Sequence, residues 1–391
     1  MKEYKYLIVG GGMTAASAVD GIRDIDPIGS IGLISADADT PYNRPPLSKA
    51  LWKGEDLDSI WRDVRSKAVA IHLHTIAKEI DPQRQRVVSE DGEVYRYDRL
   101  MLATGVRPKQ LPFGDDAIIY FRTLSDYRKL RALAETAKRI VVIGGGFIGS
   151  EIAAALTTIG KEVTLIFPGE GIGDHIFPRD LSQFVSQYYE QKRVEVLSGE
   201  KIIGLEKKGN QYTVKTAHHN NIIAEGIVAG IGSLPNIELA EAAQIETKEG
   251  ILVNEFLQTS SSGIYAAGDV ATFYNPSLKK HIRVEHEDNA NAMGRLAGRN
   301  MAGKNDPYHH LPFFYSDMFE LGYEAVGEVD SRLETFSDWK KPFEEGVIYY
   351  LKNDRVRGVL LWNVWKQVDA ARELIANQGP INPSMLKGRL K

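Results

Sequence analysis

At 391 residues the chain is long for a single core and implies two or three domains. Its 43% hydrophobic and 26% charged content is ordinary for a globular protein, and a net charge of −4 excludes general attraction to nucleic acid or to an anionic membrane. Cysteine is absent, which excludes disulfide reduction or reactive-thiol chemistry carried by this chain itself.

The first predicted strand, residues 4–9, begins within three residues of Met1, so no signal peptide is read there. No run of about 18 apolar residues is present to span a bilayer. A cytoplasmic protein without an integral membrane segment is expected.

That strand runs into Gly10-Gly11-Gly12-Met13-Thr14-Ala15 and an Ala-rich helix over residues 12–23. Strand, tight glycine turn and helix N-terminus together make a receiver for a dinucleotide pyrophosphate, because the first helical amides have no partner in the helix. A strand over 31–35 follows, and Asp37 stands 22 residues after Ala15, where an acid takes ribose hydroxyls. The alternative for Asp37 is a turn aspartate in the polar stretch 36–40.

Residues 41–49, Pro-Tyr-Asn-Arg-Pro-Pro-Leu-Ser-Lys, are stiffened by proline and could fix Arg44 and Lys49 near a ligand. Short strands are predicted over 71–97. They lead into a buried strand closing on Ala103-Thr104-Gly105, whose small side chains let backbone approach a cofactor. A helix over 124–138 precedes a second copy of the turn, Gly144-Gly145-Gly146-Phe147-Ile148-Gly149, behind the strand 140–143. A strand at 163–167 and the stretch 227–236, a strand running into a small-residue loop with Gly230-Ile231-Gly232, complete this second unit. A return strand leads to Gly268-Asp269. The last 80 or so residues are aromatic and β-like, with a hairpin around Lys352-Asn353-Asp354 and a helix over 368–377. Phe313, Phe314, Trp362 and Trp365 are read first as core and otherwise as partner surface. The basic end, residues 387–391, is read as a solvated tail.

Two such turns imply two dinucleotides held at once. The whole ordered set resembles the FAD-dependent pyridine nucleotide-disulfide oxidoreductase superfamily and its ferredoxin-reductase-like group. Arg283-Val284-Glu285-His286, Gly294-Arg295-Leu296-Ala297-Gly298, Leu321-Gly322-Tyr323-Glu324-Ala325 and Leu361-Trp362-Asn363 make it most similar to the apoptosis-inducing-factor family. The resemblance implies an α/β fold of two Rossmann-like dinucleotide-binding domains plus an α+β C-terminal domain. The boundaries expected are 1–122 with 246–310 for FAD, 123–245 for NAD(P)H and 311–391 for the C-terminal domain.

It further implies FAD contacts from Gly10, Gly12, Ala15, Asp37, Arg44, Lys49, Ala103, Thr104, Gly105, Arg122, Gly268 and Asp269. Glu285 and His286 open a helix whose amides would face the flavin pyrimidine, with His286 packed beside the ring. No metal is expected. Nicotinamide nucleotide falls to Gly144, Gly146, Phe147, Ile148, Gly149, Glu151, Glu170 and Gly232. Lys49 and Glu151 are implied as an ion pair at the hydride-transfer point, the alternative being two unrelated surface charges. Phe147 is implied as an aromatic gate, or else as core.

Glu170 close behind the strand, with no arginine before Arg179, favours NADH over NADPH, although His175 leaves some NADPH use open. Tyr315 stands where the family commonly has tryptophan, and Ala36 where apoptosis-inducing factor has an acid. The function implied is an FAD-dependent NADH oxidoreductase feeding a ferredoxin, a rubredoxin or a quinone. The alternative is a slow NADH-responsive sensor or assembly factor that dimerises on reduction. A homodimer is the oligomer expected, if any forms.

Overall fold

A computed structural model describes residues 1–218, 221–377 and 379–390. They divide into two compact units. One comprises Met1–Arg44, Leu57–Arg107 and Leu234–Pro312; the other comprises Pro45–Asp56, Pro108–Ser233 and Phe313–Lys391.

In the first unit the apolar run at the end of Lys2–Val9 makes a strand buried on both faces, as a parallel sheet covered by helices requires. It lies between Ile31–Ile34 and Val94–Leu102 and is parallel to both. Val69–His72 extends one side of this sheet, Ile264–Ala266 pairs in parallel with the end of Val94–Leu102, and Arg86–Ser89 with Ala77–Asp81 completes the other side. Helix Met13–Ile25 packs closely on helix Glu287–Met301. A Cβ added at Gly298 would lie 2.1 Å from the Ala18 carbonyl oxygen, so the glycines of the second helix set the separation.

The second unit repeats the plan. Its parallel sheet runs Val194–Leu197, Glu162–Ile166, Arg139–Ile143, Gly226–Ala229, Ile118–Tyr120. Helix Leu124–Thr136 enters it through a reciprocal capping box of Thr123 and Asp126. The same unit carries the C-terminal antiparallel sheet, ordered Phe313–Met318, Leu321–Gly327, Arg355–Trp362, Glu345–Lys352, Glu334–Lys341, with helix Val368–Ala376. The expected hairpin turns through Asn353 and Asp354, both at positive φ (53° and 56°), the geometry of a tight two-residue turn. The α/β class with two nucleotide-binding sheets and a C-terminal α+β part is therefore observed.

Two readings need correction. Trp362 is fully buried, but Trp365 is 48% exposed and is not core. The basic tail is not simply solvated: Leu390 within it and Leu386 just before it are buried, and the Gly388 N–H donates to Asp338 at 2.6 Å. These two leucines, four apart, dock while the charges between them stay outside. Lys391 lies outside the described residues.

Candidate functional site

The first glycine turn is built by close backbone approach. Gly10 has φ +126°, and a Cβ there would lie 2.1 Å from the Ala103 carbonyl oxygen. Only glycine fits that conformation and that gap. The Ala103 N–H in turn donates to the Val9 carbonyl at 2.8 Å, which fixes Ala103-Thr104-Gly105 against the turn. Helix Met13–Ile25 starts at Gly12 with no side-chain cap, leaving its first amides to an outside acceptor.

Arg44 lies over this turn, its Nη2 3.8 Å from the position a Cβ would take on Gly12 and 3.8 Å from Asp37. A cation beside uncapped amides suits a pyrophosphate, and a neighbouring carboxylate suits ribose hydroxyls. The turn Gly268–Val270 adds a further wall, since a Cβ on Gly268 would meet Thr14 Oγ1 at 2.2 Å. The first unit thus brings Gly10, Gly12, Asp37, Arg44, Ala103 and Gly268 into one cradle whose chemistry fits the diphosphate end of FAD.

Sequence reasoning missed what aims Arg44. Arg62 donates from Nε to Asn43 Oδ1 at 2.7 Å and from Nη1 to Ser17 Oγ at 3.1 Å. An isolated antiparallel bridge ties Tyr42 to Trp61. Residues 41–44 are therefore pinned to helix Met13–Ile25 by a segment with no recognisable motif. Thr104 is likewise held by Asn236, through reciprocal 2.8 Å hydrogen bonds.

Helix Glu287–Met301 begins at His286, as expected. Burial pushes the His286 pKa down to about 4 from 6.5, against the opposing charges of Asp269, Glu285 and Asp288, so the imidazole is neutral at pH 7. The folded pKa lies below the unfolded one, so the unfolded state binds the extra proton. The stabilisation is complete above pH 6.5 and is lost as the pH falls towards 4. A His286→Gln variant should lose less stability than the parent across that window in urea titrations at stepped pH. The difference should be up to about 3 kcal/mol.

In the second unit Gly144 has φ +116° and faces the Gly230 carbonyl oxygen, 2.3 Å from a hypothetical Cβ. Helix Phe147–Thr158 starts at Gly146, again with no side-chain cap. Phe147 is half-buried, its ring edge-on to Phe314 at 5.3 Å and to His175 at 6.0 Å. Gly232 turns at φ +93°, its carbonyl accepting from the Lys109 N–H at 2.9 Å. Glu170 and Arg179 form an exposed ion pair at 3.2 Å behind the strand Glu162–Ile166. Arg122 lies in this unit, its backbone N–H donating to Asp126 at 3.1 Å.

Glu151 lies one turn into the second helix and is 4% exposed. Its carboxylate meets the Lys49 ammonium directly, accepts from Ser48 Oγ at 2.5 Å and accepts from Ser316 Oγ at 2.6 Å. Lys49 also sits 5.4 Å from the Tyr315 ring centroid, a cation–π distance. Burial and the Glu151 charge hold the Tyr189 and Tyr323 phenols well above their ordinary range, so both stay neutral. Lys49 and Glu151 are therefore a buried, hydrogen-bonded pair rather than two unrelated surface charges. Ser48 and Ser316 were not foreseen; Ser48 adjoins Lys49 in sequence, but nothing local marks Ser316.

The model of the pyridine nucleotide-disulphide oxidoreductase family matches residues 4–294, and that of the apoptosis-inducing factor C-terminal region matches 297–345 and 336–377. The chain is 33% identical to mitochondrial apoptosis-inducing factor 1 of Dictyostelium discoideum, over 97% of this chain and 80% of that protein. It is 31% identical to putidaredoxin reductase of Pseudomonas putida, over 97% of this chain and 93% of that protein. The crystal structure of the covalent putidaredoxin reductase–putidaredoxin complex contains a chain that superposes with a TM-score of 0.92 at 30% identity, covering 99% of this chain and 96% of that one. Among the described residues, no helix is long and apolar enough to cross a membrane. The paired glycine turns, the buried Lys49–Glu151 pair and these matches converge: the chain belongs to the pyridine nucleotide-disulphide oxidoreductase family, as an apoptosis-inducing-factor-like, FAD-dependent oxidoreductase.

Proposed function

We propose that this protein oxidises NADH and passes the electrons singly to a small iron–sulfur protein of the ferredoxin or rubredoxin kind. The observation that carries the reading is the Lys49–Glu151 pair, buried one turn into the helix that the second glycine turn opens. Residues 1–122 with 246–310 are assigned to FAD, 123–245 to the nicotinamide nucleotide and 311–391 to the C-terminal domain.

When bound, FAD supplies the ability to accept a hydride and to release electrons one at a time. The chain's residues position and exclude. The first turn, Arg44 and Asp37 hold a diphosphate and a ribose. Thr104, Gly105, Asp269 and Glu285 line the same unit, and a neutral His286 offers packing without a competing proton. In the second unit Gly144, Gly146 and Gly149 admit the nucleotide backbone, with Ile148 at the mouth. Phe147 closes over the site until nicotinamide displaces it. Glu151 holds the Lys49 ammonium in one direction, so that a cation faces the reacting atoms without side-chain reorganisation.

An acceptor protein is supported by the relatives that carry one in their names: the anthranilate dioxygenase ferredoxin–NAD(+) reductase component of Burkholderia cepacia, 30% identical, and rubredoxin–NAD(+) reductase of Pseudomonas putida, also 30% identical. None of the geometry described favours the slow sensor. Anaerobic stopped-flow mixing with NADH tests the reading: the flavin should bleach within the turnover time, and a ferredoxin should then be reduced in stoichiometric excess. Bleaching without onward transfer would remove the acceptor assignment.

Preference for NADH rests on Glu170. Its carboxylate would accept from ribose hydroxyls and repel a 2′-phosphate, and it also engages Arg179, the first arginine after the strand. Glu170→Ala should raise the ratio of kcat/KM for NADPH over NADH by about tenfold or more, read in paired steady-state assays.

A further inference from the structure

We propose that Ser316, on the first strand of the C-terminal sheet, is a positioning residue for Glu151, so that this sheet acts on the hydride-transfer pair. The inference rests on the reading of Lys49 and Glu151 given above and concerns the second unit alone.

A carboxylate offers about four acceptor sites, and burial penalises each one left empty. Lys49 and Ser316 both reach Oε1, whereas Ser48 reaches Oε2. The two serines differ in what they can fix. Ser48 is the chain neighbour of Lys49 and moves with it. Ser316 comes from another element and holds the carboxylate independently of the ammonium.

Ser316 reaches Glu151 because strand Phe313–Met318 pairs antiparallel with Leu321–Gly327, placing Ser316 directly opposite Tyr323. Ser316 gives its one hydroxyl proton to Glu151 Oε1 at 2.6 Å. The Tyr323 ring opposite Ser316 is anchored, stacking on Trp362 at 6.0 Å and meeting the edge of Phe177 at 5.3 Å. Strand pairing therefore fixes Ser316 beside the sheet's aromatic core, and hydrogen bonds run from Ser316 to Glu151 and on to Lys49. Chains of buried, satisfied hydrogen bonds of this kind fix a geometry more firmly than single pairs.

The test compares Ser316→Ala, Ser316→Thr and Ser316→Cys in the FAD-loaded protein. Ser316→Ala should lower the limiting rate of flavin reduction by NADH about tenfold, with the calorimetric dissociation constant for NAD+ changed less than about twofold. Ser316→Thr restores the hydroxyl and should recover most of the rate. The flavin midpoint potential should move in Ser316→Ala in the same direction as in Lys49→Met, by a smaller amount. An unchanged rate and potential in Ser316→Ala, or a Thr variant as slow as the Ala variant, would overturn the proposal. If Ser316→Ala fails to retain FAD, Ser316→Cys carries the test, because it keeps the side chain's shape and replaces the hydroxyl with a weak donor. Unchanged reduction in Glu151→Gln and Lys49→Met would instead sink the underlying reading of the pair.

Discussion

Glu151→Gln is expected to slow anaerobic reduction of the flavin by NADH at least about a hundredfold, while the protein still binds FAD. The magnitude follows from burial. Glu151 is 4% exposed and the Lys49 side chain 13%, so the pair lies where water gives little screening. Removing one partner of such a pair leaves the other charge uncompensated, at a cost of about 3–5 kcal/mol. Glutamine keeps the shape and two hydrogen-bonding ends but cannot hold the ammonium in place. A shift of about 3 kcal/mol in the barrier corresponds to more than a hundredfold in rate.

Lys49→Met examines the same pair from the other side. It strands a carboxylate that still has two serine donors, so about 3 kcal/mol of stability should be lost in urea unfolding of the second unit. Stopped-flow traces at saturating NADH measure the rate effect. Wild-type rates in both variants would show that the pair holds the fold together and takes no part in transfer.

The second large effect separates the two glycine turns. In Gly149→Ala the new Cβ would sit 1.8 Å from the Gly144 carbonyl oxygen, a distance that backbone must move to relieve. The moving atoms belong to the turn that should receive the nicotinamide nucleotide. Affinity for NADH should fall by more than about a hundredfold with FAD content unchanged. Gly10→Ala is the counterpart: at φ +126° and 2.1 Å from the Ala103 oxygen, it should yield protein without FAD. Flavin absorbance per chain and NADH calorimetry on both variants read the outcome. A reversed pattern, with FAD lost in Gly149→Ala, would exchange the two assignments.

Legibility differed sharply between parts of the molecule. Helices Met13–Ile25, Leu124–Thr136 and Val368–Ala376 fall close to where the pattern of residues placed them. So does the hairpin through Asn353 and Asp354, because caps and turns are local and their residue types are specific. Trp365 and the tail were misread for a shared reason. An apolar side chain does not state which surface it will meet, so Trp365 ended half exposed while Leu386 and Leu390 found cover.

By itself the sequence determined the two glycine turns, the helices behind them and hence the class of cofactor. Those features depend on backbone conformations and gaps that only glycine tolerates, and such constraints are written into neighbouring residues. Lys49 and Glu151 could be named from the resemblance, but their contact could not be read from spacing. The tertiary structure alone decided what surrounds them. Ser316 is 165 positions from Glu151, and Arg62 meets Asn43 across 19. Such contacts follow from how strands pair and which elements share a core. A one-residue change of register would turn Ser316 to the opposite face of its sheet.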